Sequence, residues 1–90
     1  MNNKVKIINA HKIPMLTIGI LNETFHVQVH PNDHYTHATI DEDGDLKIHQ
    51  DKPILDDRLG LWNSASIRYI TNVEFEGNWK DSLVEFKQNI

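Results

Sequence analysis

The sequence predicts a mainly β fold: a small antiparallel barrel or curved sheet of five or six short strands, which becomes α+β if the C-terminal segment is helical. Two observations support this prediction. Several segments alternate apolar and polar residues with a period of two, and turn-forming residues separate these segments at short intervals. The 90 residues are enough for one hydrophobic core, so we expect a single domain spanning residues 1–90.

The clearest turn signal is Asp41-Glu42-Asp43-Gly44-Asp45. Gly44 accepts a positive φ, so residues 42–44 are predicted to form a three-residue hairpin loop, a type I turn closed by a G1 bulge. A slip of one residue would set apolar against polar side chains, so the pattern determines the register. Counting outward from the loop gives the pairs Ile40 with Leu46, Thr39 with Lys47, Ala38 with Ile48 and His37 with His49.

Three further strands are predicted before this hairpin. Val5 and Ile7 form the apolar side of the first, and residues 15–21 and 24–30 form a second hairpin. A two-residue loop at Asn22-Glu23 would join them, although Glu23 suits positive φ poorly and a slightly longer loop with the same register is an equal alternative. The resulting pairs are Ile20 with Phe25, Ile18 with Val27 and Leu16 with Val29.

The C-terminal half is less regular. Residues 54–63 show neither period and predict a loop with at most one helical turn, whereas residues 65–75 alternate and predict a long strand bent or split near Thr71-Asn72. The predicted core combines the apolar sides of these strands: Phe25, Val27, Val29, Ile40, Leu46, Ile48, Ile67, Tyr69, Val73 and Phe75.

Residues 79–90 fit two structures. A stripe of apolar residues at helical spacing, with Asn78 as N-cap, favours a helix. The alternative is a terminal hairpin in which residues 84–86 pair with residues 73–75.

Composition excludes several classes of protein. Without cysteine there is no disulfide framework, no thiolate metal site and no cysteine nucleophile. The longest apolar run, residues 13–21, is far too short to span a membrane, and the first residues do not resemble a signal peptide. We therefore expect a cytoplasmic protein that does not bind membranes.

The charge distribution favours a protein partner. Residues 41–57 contain seven acidic residues and only two basic ones, Lys47 and Lys52, so the formal net charge of this stretch is −5. Such a surface repels phosphate, which argues against direct nucleic-acid binding and favours a basic site on another protein. Leu59-Gly60-Leu61-Trp62 is interpreted as a plug for one end of the sheet, with an exposed partner anchor as the alternative. The candidate partner-binding residues are Asp41, Glu42, Asp43, Asp45, Asp56, Asp57, Leu61 and Trp62.

Histidines form the other candidate site. His37 and His49 are the candidate metal ligands, because the hairpin register makes them cross-strand neighbours with Cβ atoms about 4.5 to 5.5 Å apart. Two nitrogens are fewer than a zinc site needs, so solvated histidines on a polar face are the favoured interpretation. Two imidazolium groups this close would repel, and we expect coupled titration and a stability that falls as the pH drops from about 7 to 5.

No motif identifies a reaction. The acidic turn aligns poorly with a calcium-binding loop, because Thr39 and Gln50 would occupy ligand positions. The serines lack a nucleophile elbow, and there is no glycine-rich phosphate loop. We expect no cofactor, and by elimination a non-enzymatic binding protein or inhibitor of the kind that phages and mobile elements encode. The alternative is a histidine-based metal-binding or pH-responsive protein, or a small hydrolase; homo-oligomerisation is left open.

Overall fold

The computed structural model describes residues 5–10, 17–20, 23–26 and 32–86. These residues form nine strands and one 3-10 turn, Trp79–Asp81. No helix in this part of the chain is long and apolar enough to cross a membrane. The strands are β1 (Lys6–Ala10), β2 (Thr17–Ile20), β3 (Glu23–His26), β4 (His37–Ile40), β5 (Asp45–His49), β6 (Ile54–Asp56), β7 (Leu61–Asn63), β8 (Ile67–Glu76) and β9 (Val84–Glu85).

Five of the strands form one curled antiparallel sheet with the shape of a half-barrel. Its strand order is β1-β8-β5-β4-β9. Two hairpins, β2–β3 and β6–β7, form separate two-stranded sheets. The predicted fold class, a small curved antiparallel sheet, is confirmed.

The central hairpin β4–β5 has the predicted register at every pair, from Ile40 opposite Leu46 to His37 opposite His49. Gly44 has a φ of +94°, and its N–H donates to the Asp41 carbonyl at 2.9 Å. The Gly44 carbonyl in turn accepts from the Val73 N–H at 2.9 Å, so the loop is also attached to β8. The positive φ that the turn requires explains why glycine stands at this position.

A β-bulge in β8 changes which side chains face the core. Leu46 lies opposite Thr71 and Lys47 opposite Tyr69, so Ile70 is an extra residue on the β8 side. Before the bulge, Ile67 and Tyr69 point outward and are 39% and 56% exposed. Assigning these two residues to the core was wrong, because the prediction assumed unbroken alternation; the break lies close to the predicted bend at Thr71.

The core lies on the concave side of the sheet. The predicted core residues Ile40, Leu46, Ile48 and Val73 are buried, and Phe75 packs against them while partly exposed. The side chain of Phe25, and residues Val27 and Val29, lie outside the described residues. Among the residues that the structure describes, the buried cluster is Val5, Ile7, Tyr35, Ala38, Ile40, Leu46, Ile48, Ile70 and Val73.

The β2–β3 hairpin has a different register from the predicted one. Ile18 lies opposite Phe25 and Ile20 opposite Glu23, so the pairing is shifted by two residues. A shift of two leaves every side chain on the same face, and the hydrophobic pattern cannot detect it. The predicted pairs that involve Leu16, Val27 and Val29 lie outside the described residues.

Residues 54–63 form the β6–β7 hairpin, and the prediction of a loop was wrong. Each strand has only three residues, and Ile54 and Leu55 are both exposed, so no period of two appears. The turn is built by Asp56, whose Oδ1 accepts from the Leu59 N–H at 3.2 Å, and by Gly60 at φ +70°. Gly60 was the available signal for this hairpin.

The C-terminal helix was also a wrong prediction for residues 79–86. Asn78 caps as expected, since its side-chain oxygen accepts from the Lys80 N–H at 3.1 Å, but only a single 3-10 turn follows. Residues 84–85 then form β9, which pairs with β4 and not with β8. The open edge of β4 accounts for this outcome, because it offers backbone hydrogen bonds such as Phe86 N–H to the Thr36 carbonyl at 2.9 Å.

We predict that Gly44→Ala destabilises the protein by more than about 2 kcal/mol, whereas Gly60→Ala costs about 1 kcal/mol. Both glycines have positive φ, but a Cβ at Gly44 would lie 2.5 Å from the Val73 carbonyl oxygen. A Cβ at Gly60 would meet only side-chain atoms of Glu42, the nearest being its movable Oε1 at 2.7 Å, with its Cβ at 3.3 Å. Urea unfolding of the two variants measures the difference. Equal losses would contradict the tight contact between the loop and β8.

Candidate functional site

The β6–β7 hairpin covers the part of the sheet's outer face that β4 and β5 form, while Ile67 and Tyr69 on β8 stay exposed. Thr39 and His49 alternate with core residues and point away from the core, yet both are fully buried. Trp62, in β7, is buried against the same face. We call the residues between the sheet and the hairpin the polar layer; it consists of Thr39, Asp41, Lys47, His49, Trp62 and Ser64.

An ion pair holds the centre of this layer. The Lys47 Nζ lies 2.9 Å from Asp41 Oδ2, and both side chains are about nine-tenths buried. Asp41 Oδ1 accepts from the Trp62 N–H at 2.9 Å, and the Lys47 ammonium donates to the Trp62 carbonyl at 2.6 Å. Each buried charge therefore has a second hydrogen-bond partner, which such a pair needs to offset the loss of hydration.

His49 forms the second connection between the sheet and the hairpin. Its Nε2 lies 2.8 Å from Thr39 Oγ1 on β4, and its Nδ1 lies 2.8 Å from Ser64 Oγ, just after β7. Burial, and then the positive charge of Lys47, lower the pKa of His49 to about 4, although Asp51 acts in the opposite direction. The ring is therefore neutral near pH 7, with one nitrogen donating and the other accepting.

Two further contacts complete the packing. The Trp62 indole N–H donates to the Trp79 carbonyl at 3.2 Å, and the Ser82 hydroxyl bonds both the N–H and the carbonyl of Ile40. Among the residues that the structure describes, no buried side-chain nitrogen or oxygen lacks a hydrogen-bond partner. The polar layer is thus fully satisfied, as native interiors require.

The predicted partner-binding residues divide into two groups. Asp41 and Trp62 are buried in the polar layer, and neither is part of the exposed surface. Of the stretch interpreted as a plug, Trp62 is buried on the outer face of the sheet, whereas Leu59 is exposed. Glu42, Asp43 and Asp57 are exposed, while Asp45, Asp56 and Leu61 are partly exposed.

The exposed acids come together where two turns meet. The Glu42 N–H, in the β4–β5 loop, donates to the Gly60 carbonyl, in the β6–β7 loop, at 3.0 Å. This bond holds the loop that carries Glu42 and Asp43 against the turn that carries Asp57 and Leu59, whose side chain is 67% exposed. We call Glu42, Asp43, Asp57 and Leu59 the two-turn surface. It combines negative charge with one exposed apolar side chain.

Metal binding is not favoured by the geometry of either candidate group. Carboxylate oxygens of Asp41, Asp43 and Asp45 lie within 4.8 Å of one another, but the Lys47 ammonium already pairs with Asp41 Oδ2 at 2.9 Å and would repel a cation there. Both ring nitrogens of His49 are hydrogen-bonded, and His37 Nδ1 lies 2.7 Å from Thr36 Oγ1. These contacts do not favour the metal site predicted at His37 and His49, which stays a prediction.

The Ser64–His49 contact has the geometry of a serine and its base, and Ser64 lines an open groove of about 600 Å³ on the β6–β7 hairpin. A general base must become an imidazolium during the reaction, and burial beside Lys47 disfavours that form. The nearby N–H groups of Ala65 and Ser66 already donate to the Asp51 carboxylate. These observations favour a structural role for the contact over nucleophilic catalysis.

The sequence did not reveal the polar layer. Thr39 and His49 are residue types expected on a solvent-facing strand side, so burial by a distant hairpin left no local signal. The aperiodic Trp62, combined with a turn ending at Gly60, was the available indication that this face is covered.

We predict that Lys47→Met lowers the free energy of unfolding by roughly 3–5 kcal/mol, because the Asp41 carboxylate then stays buried without its counter-charge. The double variant Asp41→Asn/Lys47→Met should lose much less than the sum of its single variants. Chemical denaturation of the wild type, of Asp41→Asn and Lys47→Met, and of the double variant measures the coupling free energy between the two side chains. The exposed Lys52 offers a matched control, and Lys52→Met should change the stability by less than about 0.5 kcal/mol; additive single losses would contradict the coupling.

We predict that His49 makes the protein less stable in acid. The unfolded chain takes up a proton near the ordinary pKa of 6.5, whereas the folded chain does so near 4. The stabilisation from the neutral ring is therefore complete above pH 6.5 and is lost, by about 3 kcal/mol in total, as the pH falls towards 4. Urea unfolding across this range should show the loss in the wild type and in His34→Gln, but not in His49→Gln. Burial is the main cause, and repulsion by His37, which the sequence suggested, is a smaller one.

Comparisons with known proteins gave no match to a family model, to a curated protein or to a solved structure. The two-turn surface and the polar layer beneath it are therefore the basis for inferring function.

Proposed function

We propose that this protein is a small non-enzymatic binding or inhibitor protein that docks its two-turn surface on a basic site of a protein partner. The observation that carries the proposal is the hydrogen bond from the Glu42 N–H to the Gly60 carbonyl, which joins two acidic turns into one surface. Acids from separate parts of the chain thereby act on a partner together.

The surface is negative although the exposed Arg58 lies in the second turn between Asp57 and Leu59, because its three acids outnumber the exposed cations beside it. Lys47, which the sequence places among the acids, is buried and paired with Asp41. Lys80 pairs with Asp57 at 2.9 Å, but both side chains are exposed, so water and salt weaken this pair. Glu42 and Asp43 have no such cation near them in the described salt bridges. A basic partner would be attracted and a phosphate backbone repelled.

The surface is also preorganised. Asp43 Oδ1 accepts from the Asp45 N–H at 3.2 Å, and Asn72 Nδ2 bonds Asp45 Oδ1 at 3.0 Å, so the first turn is held in one conformation. The second turn is fixed by the polar layer, because Asp41 and Lys47 bind the main chain of Trp62 in the same hairpin. Binding then costs little ordering of the backbone, and Leu59 supplies an apolar contact that a partner could bury.

An origin in a phage or mobile element, a cytoplasmic location and an inhibitory effect belong to the same proposal. They rest on the small size, the absence of cysteine and the acidic surface.

Charge reversal tests the docking surface. Glu42→Lys/Asp57→Lys should slow association with the partner at least about 10-fold, because it removes the electrostatic attraction at the contact. Glu76→Lys/Glu85→Lys is the matched control: both residues are exposed, both lie away from the two turns, and the formal net charge changes equally, from −4 to zero. The control should change the association rate less than about 3-fold.

The partner is first captured from extracts of the source cells on the tagged wild type, and candidates are proteins retained by the control variant and lost from the test variant. Association of the purified pair should also weaken steeply between low and high salt, because the Debye length falls from about 30 Å at 0.01 M to about 3 Å at 1 M. Equal losses in both double variants would overturn the proposal. Salt-insensitive binding that Leu59→Ser abolishes would assign recognition to the apolar residue instead of the acids.

A further inference from the structure

The β6–β7 hairpin is attached to the rest of the molecule in an unusual way. It has no strand pairing with the five-stranded sheet. On the described residues, its connections to the rest of the molecule are few: side-chain contacts to the main chain of Trp62, the indole bond to Trp79, the His49–Ser64 bond, the Glu42 bond at the turn and the exposed Asp57–Lys80 ion pair. Such an attachment can open without unfolding the core, because no ladder of backbone hydrogen bonds has to break.

His49 lies inside this attachment, in contact with Thr39 on one side and Ser64 on the other. The charged and titratable groups around it are Lys47 on its own strand, His37 on the neighbouring strand β4, and Asp51 just beyond β5. Two of these three disfavour an added positive charge, and burial disfavours it further. Opening the hairpin admits water and removes that burial.

We propose that the β6–β7 hairpin is a flap that acid opens, and that His49 is the residue whose protonation drives the opening. The closed flap holds the neutral ring between two hydroxyl groups, and the open flap lets the protonated ring be hydrated. Protons therefore bind the open form preferentially and shift the population towards it.

The expected size follows from linkage. With a pKa of about 4 when closed and the ordinary value of 6.5 when open, the opening equilibrium rises about 30-fold between pH 7.5 and pH 5. The flap carries Asp57 and Leu59, so opening would also move these residues away from Glu42 and Asp43 and divide the two-turn surface. This consequence for partner binding rests on the proposed docking function.

Native-state hydrogen exchange on the isolated protein tests the flap, with rates corrected for the intrinsic effect of pH. The Trp62 N–H, which donates to Asp41, reports on the open state. The opening equilibrium constant obtained from its exchange should be about 30-fold larger at pH 5 than at pH 7.5. Its exchange should rise much less steeply with urea than that of the Leu46 and Ile48 amides in β5, because flap opening exposes only the hairpin and the face beneath it, whereas global unfolding exposes the whole core.

His49→Gln should abolish the pH dependence of Trp62 exchange, and His37→Gln should retain it. Two outcomes would overturn the flap: Trp62 exchange that does not change with pH in the wild type, or Trp62 exchange that follows urea as Leu46 does. The wild type and His37→Gln decide the question even if His49→Gln fails to fold. No partner is present, so a negative result leaves docking by Glu42 and Asp57 untouched, and a failure of docking leaves the flap untouched.

Discussion

The outer half of the molecule depends on the ion pair between Asp41 and Lys47. Asp41 ends the first strand of the central hairpin and Lys47 lies on the second, and together they hold the main chain of Trp62 from both its N–H and its carbonyl. This contact positions β7 without any strand pairing to the main sheet. The position of the second acidic turn relative to the first follows from it, since β7 begins directly after that turn.

A polar layer is a costly way to join a hairpin to a sheet, and its geometry indicates what it provides. Apolar surfaces would bury more hydrocarbon, but they tolerate sliding, whereas each contact of Asp41, Lys47 and His49 requires one donor facing one acceptor. We interpret the layer as fixing a single position of the hairpin at some expense of stability. The same residues make the attachment responsive to charge, which hydrocarbon contacts would not do.

Much of the fold was predictable from the sequence, because the strongest signals were local. The register of β4–β5 follows from Gly44 and from pairs such as Ile40 with Leu46, which a slip of one residue would disrupt. The bulge at Ile70 and the pairing of β9 with β4 depend on partners far away in the chain. The hairpin at residues 54–63 is local, but its three-residue strands show no period of two. For the site, charge located the acidic region, but it could not separate buried Asp41 from exposed Asp43, since the residue type is the same and only the position of Trp62 differs.

The long strand β8 has a consequence for how the chain folds during synthesis. It pairs with β5 through its first half and with β1 through its second half, so Ile7 finds its place only opposite Phe75. Contacts between such distant residues form late, because closing the long loop between them costs conformational entropy before any contact stabilises the chain. Until most of the chain has left the ribosome, Val5 and Ile7 lack the surface that buries them in the finished protein. A nascent chain of this protein therefore exposes the apolar residues of β1 until β8 has been synthesised, and exposed apolar segments of this kind are prone to aggregate.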